Sequence, residues 1–254
     1  MKFITYNVNG LRSAIEKGLL NWLANIQADI VCLQEVKCRP DQVDTSIFES
    51  LQYFHYWSIT EKKGYSGVLT LSKYKPLNFF CGVENEKFDR EGRAIRLDFK
   101  DFSILNVYMP SGSSGQQRQA FKMEWLDYFF LYAFKLKSNF PNLIISGDFN
   151  ICHQPIDIHN PIANANSSGF LPEEREWMTK FFNSGFVDAF RYLCKEPHHY
   201  TWWSFRANAR ARNLGWRIDY HTLSFPLLKS LKNCLIMSEI KHSDHCPVLM
   251  ELDI

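Results

Sequence analysis

Several short segments of this chain carry side chains suited to a phosphate or a hard cation, and each stands where an apolar run stops. Leu143 to Ile145 has the pattern of a short buried strand, introduced by Pro141-Asn142. Gly147 then lets the backbone turn, so that Asp148 and Asn150 leave the strand end on the same side. A carboxylate and a carboxamide two residues apart offer oxygen ligands and an amide donor together, the equipment for a metal ion or a phosphate. Alone, Asp and Asn after Gly are ordinary turn formers. The pattern recurs, however. Glu35 closes the apolar run Ile30-Val31-Cys32-Leu33, Asn7 and Asn9 flank Val8 at the end of the first run, and Asp244-His245 precedes the last.

His242-Ser243-Asp244-His245-Cys246 has ligand types that zinc accepts, but alternate residues entering a strand face opposite ways and cannot all reach one ion. One acid on a hard cation and one His on a phosphate is the better use. Asp219, inside the aromatic strand pattern Trp216-Arg217-Ile218-Asp219-Tyr220, needs a partner if buried. A His would suit it, since the carboxylate would fix the tautomer and raise the pKa; a nearby Arg is the competing partner. Ser66, Ser111 and Ser113 lie in glycine-containing loops without the Gly-x-Ser-x-Gly nucleophile context, and neither a Walker loop nor a dinucleotide fingerprint occurs. Arg206, Arg210, Arg212 and Arg217 interleave with Trp202, Trp203 and Trp216, with no acid between Glu196 and Asp219. That composition suits a phosphate-backbone surface or a solvated basic loop.

The elements that must position these groups are mostly strands. Strands are expected over Phe3–Val8, Asp29–Glu35, Tyr53–Ile59, Val68–Ser72, Phe79–Val83, Arg93–Phe99, Phe102–Met109, 142–150, Tyr200–Phe205, Trp216–Leu223, Leu235–Ser238 and Pro247–Leu252. Lys100-Asp101 reads as a hairpin turn. Helical spacing of Leu11, Ile15, Leu19, Trp22 and Ile26 predicts one amphipathic helix to about Gln27. A second carries Phe121, Trp125, Phe129, Tyr132 and Leu136 on one face, and a third runs from Pro172 to Ser184, stopped by Gly185. His153 to Phe170 is a long polar loop, a length more often functional than accidental. Many strands with three or four helices, and no linker or repeat, suggest one domain over 1–254 in which two β-sheets pack with helices outside.

Composition narrows the class. At 254 residues with 46% hydrophobic and 22% charged residues, the chain is long and apolar enough for a substantial core and is not a disordered type. A net charge of +2 means that any nucleic-acid contact must come from local clustering. Seven scattered Cys without a Cys-x-x-Cys pair favour a reduced, cytoplasmic setting. The chain starts directly on a strand pattern, with no signal peptide and no membrane-spanning run.

Taken in order, Tyr6-Asn7-Val8-Asn9-Gly10-Leu11-Arg12, Leu33-Gln34-Glu35-Val36-Lys37, Gly64-Tyr65-Ser66-Gly67-Val68, Asn106-Val107-Tyr108-Met109-Pro110, Ser146-Gly147-Asp148-Phe149-Asn150, Gly169-Phe170 before Pro172-Glu173-Glu174-Arg175, Gly215-Trp216-Arg217-Ile218-Asp219-Tyr220 and Ser243-Asp244-His245-Cys246-Pro247 span nearly the whole chain. In these motifs the chain resembles the exonuclease III family of abasic-site endonucleases, within the endonuclease/exonuclease/phosphatase superfamily. The resemblance implies an α/β, deoxyribonuclease I-like four-layer sandwich with the site at the strand mouths of two mixed sheets. It implies Mg²⁺, with Mn²⁺ a plausible substitute, on Glu35 with Asn7 and Asp244 near. Asp148 and Asn150 would position the attacking water and the phosphate; His245, held by Asp219, and Tyr108 would contact phosphate oxygens. Phe170, Trp216 and Ile218 would line an apolar pocket for a flipped-out baseless sugar. Asn9, Tyr65, Arg93, Ser111 and Asn213 complete the implied substrate contacts, although many relatives carry Asn where this chain has the shorter Ser111.

The expected activity is hydrolysis of duplex DNA 5′ to abasic sites, with 3′-to-5′ exonuclease action and cleaning of blocked 3′ ends. The expected protein is a monomer, away from membranes. Without the long leading tail of animal relatives, it is expected in a bacterial cytoplasm. The competing readings are a phosphodiesterase of the superfamily acting on a non-DNA substrate and a catalytically inactive DNA-binding relative.

Overall fold

Strands buried on both faces read as continuous apolar runs, and here they form the centres of two stacked sheets. The computed structural model describes residues 1–254. One sheet holds β1 (Lys2–Asn7), β2 (Ile30–Gln34), β3 (Phe54–Ser58), β4 (Val68–Ser72), β11 (Leu231–Ile236) and β12 (Val248–Leu252), in the order β11-β12-β1-β2-β4-β3. The other holds β5 (Asn78–Cys81), β6 (Ala94–Asp98), β7 (Ser103–Tyr108), β8 (Leu143–Asp148), β9 (Phe186–Asp188) and β10 (Asp219–Ser224), in the order β5-β6-β7-β8-β10-β9. The pairs β1–β2 and β7–β8 are parallel and their neighbours antiparallel, so both sheets are mixed.

Between the sheets, Phe3, Ile30 and Val68 meet Ile95, Ile104 and Ile144 in a dry core. A few polar groups cross that core and find partners. Gln34 Nε2 donates to Asn106 Oδ1 at 2.8 Å, and Asn106 Nδ2 donates back to Leu69 O at 3.0 Å. His221 of β10 reaches Ser146 Oγ at 2.7 Å and Val248 O of the opposite sheet at 2.9 Å. The outer face of the second sheet is covered by α5 (Gln116–Asn139) and α6 (Pro172–Asn183), through Trp125, Phe129, Trp177 and Phe181. The outer face of the first is covered by α1 (Leu11–Glu16), α2 (Leu19–Ile26) and α3 (Ser46–Ser50). Helix, sheet, sheet, helix is the four-layer α/β arrangement expected.

The differences have local causes. The helix expected from Leu11 to Gln27 is two helices, because Gly18 takes φ 99° and interrupts the first after Lys17. Tyr200–Phe205 forms no strand; Trp202 makes only single bridges to Trp216 and His245. The strand expected from Trp216 begins at Asp219, and the one expected at Leu235–Ser238 lies earlier, at Leu231–Ile236. The short helices α3, α4 (Glu86–Asp89) and α7 (Ala189–Leu193), and the short strand β9, lack the length that periodicity needs and went unread. No helix is long and apolar enough to cross a membrane.

Candidate active site

Chain direction brings the chemistry to one mouth. Asn7 ends β1, Glu35 follows β2, Tyr108 ends β7 and Asp148 ends β8. The antiparallel strand β10 starts at that same level, so Asp219 pairs directly with Asp148, which also pairs with Tyr108. Glu35, Asn150 and Asn9 leave their strands with φ of 51°, 52° and 44°. This left-handed backbone is uncommon outside glycine and clusters at functional sites.

At the floor, Asn7 Nδ2 donates to Glu35 Oε1 and to Asp148 Oδ2, both at 2.8 Å, tying the two sheets together. Its Oδ1 accepts from the Asn9 amide at 3.0 Å. Glu35, Asp148 and His245 bring side-chain oxygen and nitrogen atoms within 4.8 Å of one another, and the two carboxylates are the donors of this group that suit a metal ion. Lys37 Nζ lies 2.7 Å from Glu35 Oε2. Burial opposes the Glu35 charge, but Lys37 and the Asn7 amide outweigh it and hold the carboxyl below its ordinary range.

His245 and Asp219 form the second unit. His245 Nδ1 lies 2.9 Å from Asp219 Oδ2, both side chains buried. Burial opposes charge on the imidazole; the Asp219 carboxylate outweighs burial, with Asp148 and Asp244 adding to it, and the ring is held protonated well above its usual range. The partner of Asp219 is thus the His, not an Arg. Carboxylates placed opposite each other on paired strands repel. Burial, and then the Asp219 charge, push the Asp148 carboxyl up. Burial, then Glu35, also push the Tyr108 phenol well above its usual range, so it keeps its proton.

Above this floor opens a cleft of about 670 Å³. Glu35, Tyr108, Asn150 and His245 face it from below; Trp202, Trp216 and Ile218 form one wall; Ser111, Ser113, Ser167 and Ser168 form the other. Asp244 lines it too, accepting from Asn9 Nδ2 and from Trp202 Nε1 at 3.0 Å each. Asn150 Nδ2 donates to Met109 O at 2.9 Å and lies 3.3 Å from Asp148 Oδ2. Ser111 Oγ meets Ser113 Oγ at 2.9 Å on the cleft wall. Ile218 and Asp219 can both serve the site because the strand starts between them: Ile218 lies before β10.

Other expected contacts lie around the cleft. Phe170 is buried behind the wall, packed with Cys152, Ile158 and Ile218, under the Arg175 guanidinium at 4.6 Å. Arg93 is buried, donating to Tyr108 O and Tyr65 Oη at 3.0 Å each and stacking under the Tyr108 ring at 4.6 Å. Asn213 borders a separate cavity with Arg210, where it accepts from Trp203 Nε1 at 3.1 Å. The basic run does not form one phosphate surface. Arg217 is buried, 2.8 Å from Asp157 and 2.7 Å from Asp188, and Arg210 is committed to the carbonyls of Ser243, Ser238 and Ile240. Burying an Arg needs acids in place, and Asp157 supplies one from a loop remote in sequence. His242 and Cys246 pack into separate neighbourhoods, against Tyr6 and Trp22 and against Tyr200 and Trp203, so no zinc cluster forms there. Among the groups that escaped sequence reasoning as site residues are Trp202 in the cleft wall, whose indole holds Asp244, and Lys37, which lies outside the cleft lining but beside Glu35. Their only signal is nearness to an acid or to Trp216.

Comparison with known proteins gives the same picture over the whole chain. The chain is 42% identical over 256 residues to an exodeoxyribonuclease of Bacillus subtilis, covering 100% of both. It is 40% identical to the DNA repair nuclease APEX1 of Danio rerio, covering 100% of this chain and 83% of that one. Among solved structures, an AP endonuclease from Archaeoglobus fulgidus superposes with a TM-score of 0.92 at 28% identity over 100% of both chains. A 3′-5′ exonuclease from Neisseria meningitidis superposes with a TM-score of 0.93 at 27% identity. The model of the Endonuclease/Exonuclease/phosphatase family matches residues 4–224, and with these identities and this likeness of fold the chain belongs to that family.

Proposed function

We propose that the protein is a Mg²⁺-dependent phosphodiesterase of DNA repair that cuts duplex DNA 5′ to abasic sites, with 3′-to-5′ exonuclease and 3′-end-cleaning activity. The observation that carries this reading is the Glu35–Asp148–His245 group at the floor of a cleft whose wall is Trp202, Trp216 and Ile218. Two carboxylates so close repel each other, and their hard oxygen donors suit a divalent cation of the Mg²⁺ or Mn²⁺ type. Glu35 is the principal ligand in this reading, with Asn7 and Asp244 near it. When bound, the cation supplies charge neutralisation at the reacting phosphate.

The chain's own groups do the rest. Asp148 and Asn150 orient a water in line with the P–O3′ bond. Water adds at phosphorus and that bond breaks, leaving a 3′-hydroxyl and a 5′-phosphate on the abasic sugar. His245, with Nδ1 occupied by Asp219, donates from Nε2 to a phosphate oxygen, and the Tyr108 phenol donates to another. Arg93 braces Tyr108 from beneath, which makes it a support rather than a direct contact. The indole and Ile218 wall accepts a sugar without a base, and extruding such a residue costs less because no base is unstacked. Asn9, Tyr65, Ser111 and Asn213 lie around the path of the strands.

The test is a duplex with one abasic-site analogue, labelled at its 5′ end, incubated with Mg²⁺ or with chelator. A single Mg²⁺-dependent cut just 5′ to the lesion is expected. A ladder from the 3′ end without that cut would reduce the activity to exonuclease; no cleavage would sink the reading.

A further inference from the structure

A lysine and a glutamate lie fully buried behind the cleft, each with 0% of its side chain exposed, and neither lines it. Lys122 sits on the packed face of α5, and Glu174 in the first turn of α6. Their charges meet at 2.6 Å, and every other bond they make goes to the site's scaffold. Lys122 Nζ donates to Asn150 O at 2.9 Å. Glu174 Oε2 accepts from the amides of Gly169 at 2.6 Å and Leu171 at 3.0 Å, while Oε1 also takes Gln119 at 3.0 Å.

Those receiving atoms set the cleft. Asn150 is in the left-handed region: Met109 O and Asp148 hold its side-chain amide, and Lys122 holds its carbonyl. Gly169 has φ +94° and lies against Trp216: a Cβ there would stand 3.0 Å from the indole and 3.1 Å from Asn150 O. One charge pair therefore spaces Asn150 from the backbone that supports the Trp216 wall. Glu174 also caps the start of α6 through the Leu171 amide, but that cap needs no buried lysine, and a buried ion pair loses much of its attraction to desolvation.

We infer that Lys122 and Glu174 are positioning residues, which lock the Asn150 turn and the Gly169–Phe170 bend so that amide and indole wall face the same substrate. The inference rests on the proposed reading of the cleft. It is tested with Glu174→Gln, which keeps the shape, and with the double variant Lys122→Met/Glu174→Leu, which removes both charges. Glu174→Gln is expected to lower kcat for abasic incision tenfold or more, with KM within about twofold, the range typical of losing an outer support of a site. Amide exchange should quicken within 167–171 while the core strands stay protected. The double variant is expected to fold with a lowered melting temperature, because the Gly169 and Leu171 amides lose their acceptor, and to show the same kcat loss. Wild-type incision by a stable double variant, or unchanged exchange at 167–171 in Glu174→Gln, would overturn the inference. If the double variant does not fold, Glu174→Gln alone decides. If the wild type does not cut abasic DNA, the functional reading fails by itself, and the exchange result still decides whether the pair locks the bend.

Discussion

Asp219 faces Asp148 across a strand pair, and His245 bonds to one of the two, so the charge between them is shared. Asp219→Asn keeps the shape but removes the charge that holds the imidazole protonated. Loss of turnover on the order of 10⁴-fold is expected, by analogy with the carboxylate-held histidine of the Ser-His-Asp triad, with duplex affinity little changed; single-turnover kinetics beside a binding titration checks this. Glu35→Ala should cost on the order of 100-fold or more and raise the Mg²⁺ needed for half-maximal rate. Unchanged activity at low Mg²⁺ would remove Glu35 from the metal site. Trp216→Ala should depress abasic incision more than digestion of ordinary 3′ ends, and equal losses would give Trp216 a general structural role. At this scale much was readable: Asn7, Glu35, Asp148 and His245 stand at the edges of apolar runs, strand ends can be read one by one, and Asp219 inside a strand pattern reads as an acid that needs a partner. Asn213 and Arg217 were not, because a side chain's partner depends on loops such as 155–157 that packing, not local pattern, brings near.

At the scale of elements, strands legible in sequence were those buried on both faces, whose continuous apolar runs need no partner to recognise. β9 and α7 are too short for a period, and the Tyr200–Phe205 segment has strand composition without a neighbour to pair with. His221 shows how elements are tied. It joins β10 to β12 while buried, and burial pushes its pKa down to about 4 from the usual 6.5. The unfolded chain therefore binds the extra proton first as pH falls. Stability from this group is full above pH 6.5 and is lost progressively toward pH 4, by roughly 3 kcal/mol. Comparing urea unfolding of wild type and His221→Asn across that range should show the wild type losing more; parallel curves would mean the ring is not the cause.

At the scale of the molecule, the two halves of the site belong to different sheets. Asn7, Glu35 and His245 come from the first; Tyr108, Asp148 and Asp219 come from the second. Asp157, shared by Arg217 and Arg191, anchors the loop between them. Asp157→Ala leaves Asp188 as the one acid facing the buried Arg217, so it should destabilise by less than the ~3–5 kcal/mol of a fully unpaired buried charge, and calorimetry would show it as a lowered melting temperature. The second sheet is one unbroken stretch of chain, whereas the first is assembled from strands at both ends, with β12 filling the place beside β1. During synthesis, then, β1 is made long before β12, and its sheet cannot close until β12 follows. Until then, an apolar strand edge stays bare and His245 is not yet made. The second sheet is itself complete only once β10 has been made, so the nascent chain carries open strand edges for most of its synthesis and depends on whatever shields them in the cell. A stop codon placed just before β12 would yield no slower enzyme, only a chain for the proteases.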